Sequence, residues 1–174
     1  MRLLMDGDIH RPVFIVGDEW VTGARFFALV EQVAATLPEC PQVINYCEDR
    51  FWFAVIFFAA QLRGKTNVLL PGHHPGMLES AVRDFPAACL CAEVEPAASA
   101  LPFFDADNFS LGVAEASASP RLPANQMAMV VYTSGTTGQA KPLAKSLGCI
   151  LDGAKINTAI FSDTFGLAAD GLIA

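Results

Sequence analysis

The chain has few positive charges, and they form no cluster. Its 11 lysine and arginine residues are outnumbered by 18 aspartate and glutamate residues, which gives a formal net charge of −7. A protein that binds a nucleic-acid duplex needs grouped basic side chains to neutralise its phosphates. The sequence therefore argues against a nucleic-acid partner.

Long apolar runs are also missing. The most apolar segment, residues 51–62, is bounded by charged residues, and it is too short for a membrane span, which needs about 20 residues. The first residues lack the apolar core of a signal peptide. We therefore expect no membrane span, no export signal and a cytoplasmic location.

The cysteines lack the spacing of a metal or redox motif. There are five, an odd number, and none belongs to a Cys-x-x-Cys pair, so reduced and buried thiols are expected. Cys89 and Cys91 are predicted to point to opposite faces of one strand. His73 and His74 are predicted to lie in a surface loop that could border a substrate cleft, because no nearby carboxylate completes a metal site. We assign no metal ligand and no catalytic residue.

The segment from Tyr132 to Lys141 carries the strongest functional signal. It reads Tyr-Thr-Ser-Gly-Thr-Thr-Gly-Gln-Ala-Lys and follows an apolar stretch, residues 127–131, that predicts a strand. Two glycines let the backbone turn sharply near a ligand, and successive N–H groups in such a turn form an anion-binding concavity. Hydroxyl groups and one ammonium group add hydrogen bonds and charge. We predict a phosphate-binding loop that uses Thr133, Ser134, Gly135, Thr136, Thr137, Gly138 and Lys141.

Other phosphate-binding patterns fit this segment less well. The G-x-x-x-x-G-K-[ST] loop of NTPases has four residues between its glycines, whereas Gly135 and Gly138 are separated by two. The dinucleotide-binding pattern G-x-G-x-x-G also fails. A surface turn rich in serine, threonine and glycine is the simplest alternative. Lys145 lies four residues after Lys141, and a solvated side chain is the favoured interpretation over a second phosphate contact.

At these residues the chain resembles the adenylate-forming superfamily of acyl-CoA and aryl-CoA synthetases, amino-acid adenylation domains and luciferases. The family signature is Thr-Ser-Gly-[Ser/Thr]-Thr-Gly-x-Pro-Lys-Gly after an apolar strand. Residues 132–139 match it throughout, and Lys141 takes the place of the signature lysine. Ala140 stands where proline is usual, and Pro142 stands where glycine is usual. The chain therefore departs from the pattern at the exit of the loop.

The resemblance implies an AMP-forming acid–thiol ligase. The loop would hold the β- and γ-phosphates of ATP while a small carboxylic acid attacks the α-phosphate, and pyrophosphate would leave. The thiol of CoA or of an acyl carrier protein would then displace AMP from the acyl-adenylate. Lys141 would offset the charge of the leaving pyrophosphate with Mg²⁺ beside it. The resemblance does not identify the acid.

The rest of the sequence alternates strands and helices. A short hairpin precedes a helix capped by Thr22, and a buried strand at 42–46 precedes the apolar helix at 51–62. A strand at 67–70, a helix at 77–84 and a strand at 88–92 follow, with a short strand suggested at 108–111. A strand ends by Ser146, a helix follows, and a new element is expected from residue 162. This alternation predicts an α/β fold with a largely parallel sheet and flanking helices.

The resemblance also bears on how much of the enzyme is present. Members of the family are much longer than 174 residues, and their later conserved segments are not found here. We therefore expect a partial N-terminal AMP-binding domain. Residues 1–125 would form a first α/β subdomain, and residues 126–174 would supply the phosphate-loop strand, the loop and the following helix. We expect this part to be inactive alone and to self-associate through its apolar surface.

Two other functions remain open on the sequence. One is a stand-alone nucleotide-binding or regulatory module derived from such an enzyme. The other is a phosphotransferase or NTPase that uses an unusual phosphate loop.

Overall fold

A six-stranded sheet organises the chain in a computed structural model that describes residues 2–3, 7–97, 99–133 and 141–165. The sheet order is β10-β9-β5-β4-β6-β7, and β1 with β8 and β2 with β3 form two small antiparallel pairs. The strands are β1 (Arg2–Leu3), β2 (Pro12–Val16), β3 (Glu19–Thr22), β4 (Gln42–Asn45), β5 (Thr66–Leu69), β6 (Cys89–Ala92), β7 (Phe103–Asp105), β8 (Arg121–Leu122), β9 (Met127–Thr133) and β10 (Lys141–Ser146). The helices are α1 (Gly23–Thr36), α2 (Arg50–Leu62), α3 (Pro75–Asp84) and α4 (Leu147–Phe165).

Five neighbouring strands of the sheet are parallel. β4 pairs with β5 and β6, β5 pairs with β9, and β6 pairs with β7, all in parallel. The outermost strand, β10, pairs with β9 in the antiparallel direction. The predicted fold class, a largely parallel sheet with flanking helices, is therefore confirmed.

One face of the sheet is covered by α1 and α2. Val43, Cys89 and Cys91 point to this face and are fully buried against the two helices. Aromatic rings fill the layer: Phe26 of α1 makes an edge-to-face contact with Phe58 of α2 at 5.8 Å between ring centroids. The apolar composition of residues 51–62 is thus explained by burial in an α/β domain. No helix in the described part of the chain is long and apolar enough to cross a membrane.

The opposite face is covered by α3. Ile44, Val68 and Leu90 are fully buried there, and Leu78 and Ala81 of α3 pack against them. Residues adjacent in sequence, such as Val43 and Ile44, point to opposite faces because side chains alternate along a strand. The sheet is therefore buried on both sides, as is typical of parallel sheets.

Three helices begin where polar side chains satisfy free backbone N–H groups. The Thr22 hydroxyl accepts from Arg25 N at the start of α1, as predicted. The Asp49 carboxylate accepts from the N–H groups of the next helix, α2, and His74 Nδ1 accepts from Gly76 N at α3. Such caps stabilise a helix end by about 1 kcal/mol. The end of α2 is followed by Gly64, whose φ of 66° is in the left-handed region.

The parallel strands begin at one edge of the sheet, called here the amino edge, and polar contacts close it. Gln61 is fully buried, and its Nε2 donates to the carbonyl oxygens of Lys65 at 3.1 Å and Ala128 at 2.9 Å. Gln126 Nε2 donates to Gln61 Oε1 at 3.1 Å. Lys65, only 4% exposed, donates from Nζ to the carbonyl oxygen of Cys40 at 2.7 Å. These bonds join α2 to the segments that enter β4, β5 and β9.

Three sequence predictions about local structure were wrong. The suggested strand at 108–111 is absent: the strand is β7, and a 3₁₀ turn at Ala106–Asn108 follows it. Cys89 and Cys91 share one face of β6, because residues two apart on a strand point the same way. The element expected from residue 162 does not begin there, since α4 continues to Phe165.

Candidate functional site

The parallel strands end together at the opposite edge of the sheet, called here the carboxyl edge. Asn45 ends β4, Leu69 ends β5, Ala92 ends β6 and Thr133 ends β9. In open parallel sheets, ligands bind in the crevice outside the carboxyl ends of the strands. The segments that leave these strands are therefore the first place to look for a binding site.

The predicted phosphate loop leaves the carboxyl edge at β9. Thr133 is the last residue of β9, Lys141 is the first of β10, and the two residues pair in the antiparallel ladder. The structure thus places both ends of the predicted site side by side, next to β5. Of the other predicted binding residues, Ser134, Gly135, Thr136, Thr137 and Gly138 lie outside the described residues, and so do the side chains of Thr133 and Lys141.

Pro142, one of the two departures from the family signature, lies within β10 and pairs with Tyr132. Proline has no N–H group and is tolerated in a strand only where that donor is not needed, which is why it occurs on outer strands. Because β10 is the outermost strand of its sheet, the substitution is compatible with the ladder that closes the loop.

Tyr132 anchors the strand that enters the loop. It is 8% exposed and packs in the cluster on the α3 face. Its hydroxyl donates to Asp84 Oδ2 at 2.8 Å, so the end of β9 is tied to the end of α3. Burial, followed by the hydrogen bond and charge of Asp84, raises the pKa of the Tyr132 hydroxyl above its ordinary value. The hydroxyl therefore remains a proton donor at neutral pH and holds the strand in place.

Tyr46 and His73 meet between the ends of β4 and β5. Their ring centroids lie 4.5 Å apart in an edge-to-face arrangement, and His73 Nε2 lies 3.2 Å from the carbonyl oxygen of Tyr46. His73 is exposed, whereas His74 caps α3. Within the described residues, no three histidine, cysteine or acidic side chains come together as a metal site. The His73 ring thus lies at the carboxyl edge, against the residue that follows β4.

The part of the carboxyl edge that follows β4 and β6 is acidic. An open recess of about 340 Å³ beyond β4 and β6 is lined by Tyr46, Glu48, Asp49, Ala92, Glu93 and Val94. The Glu93 carboxylate accepts from the backbone N–H groups of Glu48 at 3.1 Å and Asp49 at 3.0 Å. Three carboxylates repel a polyphosphate. An anionic ligand is therefore favoured at the β5–β9 end of the edge, where the predicted loop begins.

Two of these contacts could not be found from the sequence. Tyr132 and Asp84 are 48 positions apart, and Tyr46 and His73 are 27 apart. The only sequence signal for these four residues was that each lies at, or shortly after, the end of a predicted strand or helix. Sequence reasoning placed His73 near a cleft, but it missed Tyr46, Asp84 and Glu93.

Comparison with known proteins identifies the fold. No protein-family model and no curated protein matches the chain, but solved structures do. O-succinylbenzoate CoA synthetase (MenE) from Bacillus subtilis, in complex with AMP, matches with a TM-score of 0.67 and 22% identity, over 91% of this chain and 44% of that one. Apo MatB from Rhodopseudomonas palustris matches with a TM-score of 0.64 and 18% identity, over 94% of this chain and 36% of that one.

A third structure is itself only part of a protein. The N-terminal subdomain of NpsA from Klebsiella oxytoca, in complex with 3-hydroxybenzoyl-AMSN, matches with a TM-score of 0.60 and 17% identity, over 79% of this chain and 37% of that one. This chain therefore spans less than half the length of each of the three. It shares the fold of the N-terminal part of adenylate-forming enzymes, and the predicted resemblance is confirmed at that level.

Proposed function

We propose that the chain is the N-terminal part of an ATP-dependent acid–thiol ligase. Such an enzyme activates a small carboxylic acid as its acyl-adenylate and then forms a thioester. The strongest support is that a sequence signature and a position in the fold indicate the same site. The only segment that matches the family's phosphate-loop signature, residues 132–139, begins at the carboxyl end of β9, in a chain with the fold of such enzymes.

The loop would act by binding and orienting polyphosphate. Backbone N–H groups and hydroxyls from Thr133 to Gly138 would hold the β- and γ-phosphates, and Lys141 would neutralise charge as pyrophosphate leaves. The acid's carboxylate would attack the α-phosphate, and the phosphoanhydride bond to pyrophosphate would break. In this reaction the chain supplies position and charge rather than a covalent intermediate.

Mg²⁺ would be the accompanying metal ion. Bound between phosphate oxygens, it would offset their negative charge. It usually keeps several waters and takes few protein ligands. Glu48 and Asp49 follow β4 and Glu93 follows β6, and both strands are separated from β9 by β5, so we assign none of these carboxylates to the ion.

The second substrate is proposed from the same fold relationship. One structural neighbour is named a coenzyme A synthetase and holds AMP, and another holds 3-hydroxybenzoyl-AMSN. By analogy, CoA or an acyl carrier protein would supply the thiol that displaces AMP here. Fatty, aromatic and amino acids all remain candidate substrates.

Two further proposals concern the setting of the protein. A cytoplasmic location is supported by the cysteines, all five of which are free thiols. Self-association is supported by large apolar side chains that are about half exposed, namely Ile15 (54%), Trp20 (51%), Leu143 (49%) and Ile156 (61%).

The test is pyrophosphate exchange by the protein expressed from its complete gene, measured with ATP, Mg²⁺ and a panel of carboxylic acids. Acid-dependent exchange of labelled pyrophosphate into ATP, with AMP formed once CoA or a carrier protein is added, is the expected result. Release of ADP and phosphate without an acid would instead indicate a phosphotransferase or NTPase. Tight ATP binding by calorimetry with no exchange for any acid would indicate a regulatory module.

A further inference from the structure

The cysteines of the amino edge form a cluster that the proposed ligase chemistry does not use. Cys89 opens β6, and Cys40 lies in the segment between α1 and β4. Their sulfur atoms are 3.0 Å apart, closer than two unbonded sulfur atoms normally lie. Cys91, two residues along β6, is buried on the same face. Residues far apart in the sequence are thus brought into sulfur–sulfur contact.

We propose that Cys40 and Cys89 are a site of reversible oxidation, at which hydrogen peroxide converts the two thiols into a disulfide. A disulfide has a sulfur–sulfur distance of about 2.05 Å, so the two atoms need to approach by only about 1 Å from their 3.0 Å contact. The position of Cys40 is already fixed, because Lys65 Nζ donates to its carbonyl oxygen at 2.7 Å. The two side chains therefore meet without a search by a flexible loop.

The surroundings favour a thiolate on one of the two sulfurs. Hydrogen bonding by Cys91, helped by the thiol of Cys40 and opposed by burial, lowers the pKa of Cys89 to about 7. Burial, together with the contact to Cys89, raises the pKa of Cys40 to about 12. Near neutral pH a fraction of Cys89 is thus a thiolate beside a protonated Cys40, and the thiolate is the form that thiol–disulfide chemistry needs.

The reaction can be written with its atoms balanced. Cys40 is only partly buried, whereas Cys89 is fully buried, so peroxide would meet Cys40 first. The Cys89 thiolate would take the proton of the Cys40 thiol across their 3.0 Å contact. The Cys40 thiolate formed in this way would attack peroxide and give a sulfenic acid and hydroxide, which takes the proton back from Cys89 and becomes water. The Cys89 thiolate would then attack the Cys40 sulfur, form the S–S bond and release hydroxide. This hydroxide becomes water by taking up the proton that Cys89 lost on ionisation. Overall, two thiols are oxidised and one peroxide is reduced to two waters.

The other cysteines do not compete for this bond. Cys91 lies two residues from Cys89 on the same strand, where a direct disulfide would require the strand to distort. The Cys47 sulfur is directed to the carbonyl oxygen of Cys91 at 3.8 Å, and burial raises its pKa. Cys149 is exposed on α4 and can only form bonds between molecules.

The test is peptide mapping of the purified protein with Cys149→Ser as background, which removes intermolecular disulfides. The native protein is treated with hydrogen peroxide, alkylated, and digested with trypsin without reduction. We expect a cross-link between the peptides 26–50 and 84–121, abolished by dithiothreitol. Because these peptides also hold Cys47 and Cys91, the variants Cys47→Ser and Cys91→Ser must each retain the cross-link, whereas Cys40→Ser and Cys89→Ser must each lose it.

The pH dependence of the cross-linking rate is a second measurement. If the Cys89 thiolate is the attacking group, with its pKa of about 7, cross-linking should speed up about tenfold between pH 6 and pH 8. Three results would overturn the proposal: no cross-link in folded protein, a cross-link that requires Cys47, or one that forms only after unfolding by urea. Sulfinic acid on Cys40 without a cross-link would also refute it.

Discussion

The two edges of the sheet differ in how their polar groups are used. At the amino edge, Gln61 and Lys65 are almost completely buried, and their hydrogen bonds go to backbone carbonyls of neighbouring segments. At the carboxyl edge, His73 is exposed. Buried hydrogen-bonded groups contribute to stability, and exposed polar groups at strand ends are available to a ligand. Polar groups at the amino edge thus stabilise the sheet, and the predicted binding loop follows the opposite end of β9.

The largest effect is expected at the carboxyl edge. Lys141→Ala should lower acid-dependent pyrophosphate exchange by about 1000-fold, or about 4 kcal/mol, because one charge-stabilising donor to the leaving group is lost. The free energy of unfolding, measured by urea titration, should change by less than about 0.5 kcal/mol.

The matched control for this variant is Lys145→Ala, on the same strand. It should retain exchange within a few-fold of the unsubstituted protein. Equal losses of exchange in both variants would show that the loop lysine has no special role. A loss of stability in Lys141→Ala as large as its loss of activity would make Lys141 structural and remove the contrast between the edges.

The next effect is expected at the amino edge. Gln61→Ala should lower the free energy of unfolding by about 3 kcal/mol, because it leaves a cavity and removes the donor to the Lys65 and Ala128 carbonyls. Gln32→Ala, at an exposed position of α1, is the control and should change stability by less than about 0.5 kcal/mol. Urea titration measures both, and similar small changes in the two variants would contradict the role given to the amino edge.

Lys65→Met tests the buried ammonium group of the amino edge. Methionine keeps the apolar stem but removes the ammonium group that donates to the Cys40 carbonyl. We expect a loss of about 2 kcal/mol, which is typical of a hydrogen bond to a charged group. Lys145→Met, at a less buried lysine, is the control. A variant as stable as the original, or more stable, would mean that the cost of burying the ammonium outweighs its hydrogen bond.

The smallest effect is expected at Tyr132, which ties β9, the strand that leads into the predicted loop, to α3. Tyr132→Phe removes the hydroxyl that donates to Asp84 and should cost about 1 kcal/mol at pH 8. The unsubstituted protein should lose stability as the pH rises above the ordinary tyrosine pKa of 10.0, because its unfolded form releases this proton and its folded form retains it.

The pH dependence of stability distinguishes the contribution of the Tyr132 hydroxyl from that of the packing of its ring. Below pH 10 the contribution of the raised pKa is fully present, so the difference between the two proteins should be constant there and should shrink at higher pH. Thermal unfolding of the two proteins from pH 8 to pH 11 measures it. A constant difference across the whole range would show that the hydroxyl of Tyr132 does not carry the effect.

Much of the fold could be predicted from local patterns. The helical spacing of apolar residues after Thr22 predicted α1, and the cap itself was confirmed. Glycine after residue 63 predicted the end of α2, and the alternation of strands and helices predicted a parallel sheet. Each of these signals acts within a few residues, which is the range over which backbone sterics and side-chain periodicity operate.

The pairing of distant segments could not be predicted in the same way. Nothing in the sequence of β9 specifies that it lies beside β5. Nor does the sequence specify that Gln61, near the end of a largely apolar helix, is bonded to Ala128. The cysteine contact was missed because Cys40 and Cys89 are 49 positions apart. For the candidate site, the family signature predicted the binding residues, and the structure shows that the strand leading to them ends at the carboxyl edge.

The position of β9 has a consequence for the growing polypeptide. Chain synthesis delivers β4, β5, β6 and β7 first, and these can assemble among themselves, but β5 then keeps one side unpaired until residues 127–133 arrive. An unpaired strand edge readily pairs with strands of other molecules. Shortened forms that stop before β9 should therefore precipitate during translation, and the hairpin that bears the candidate loop protects nascent protein before it contacts any nucleotide.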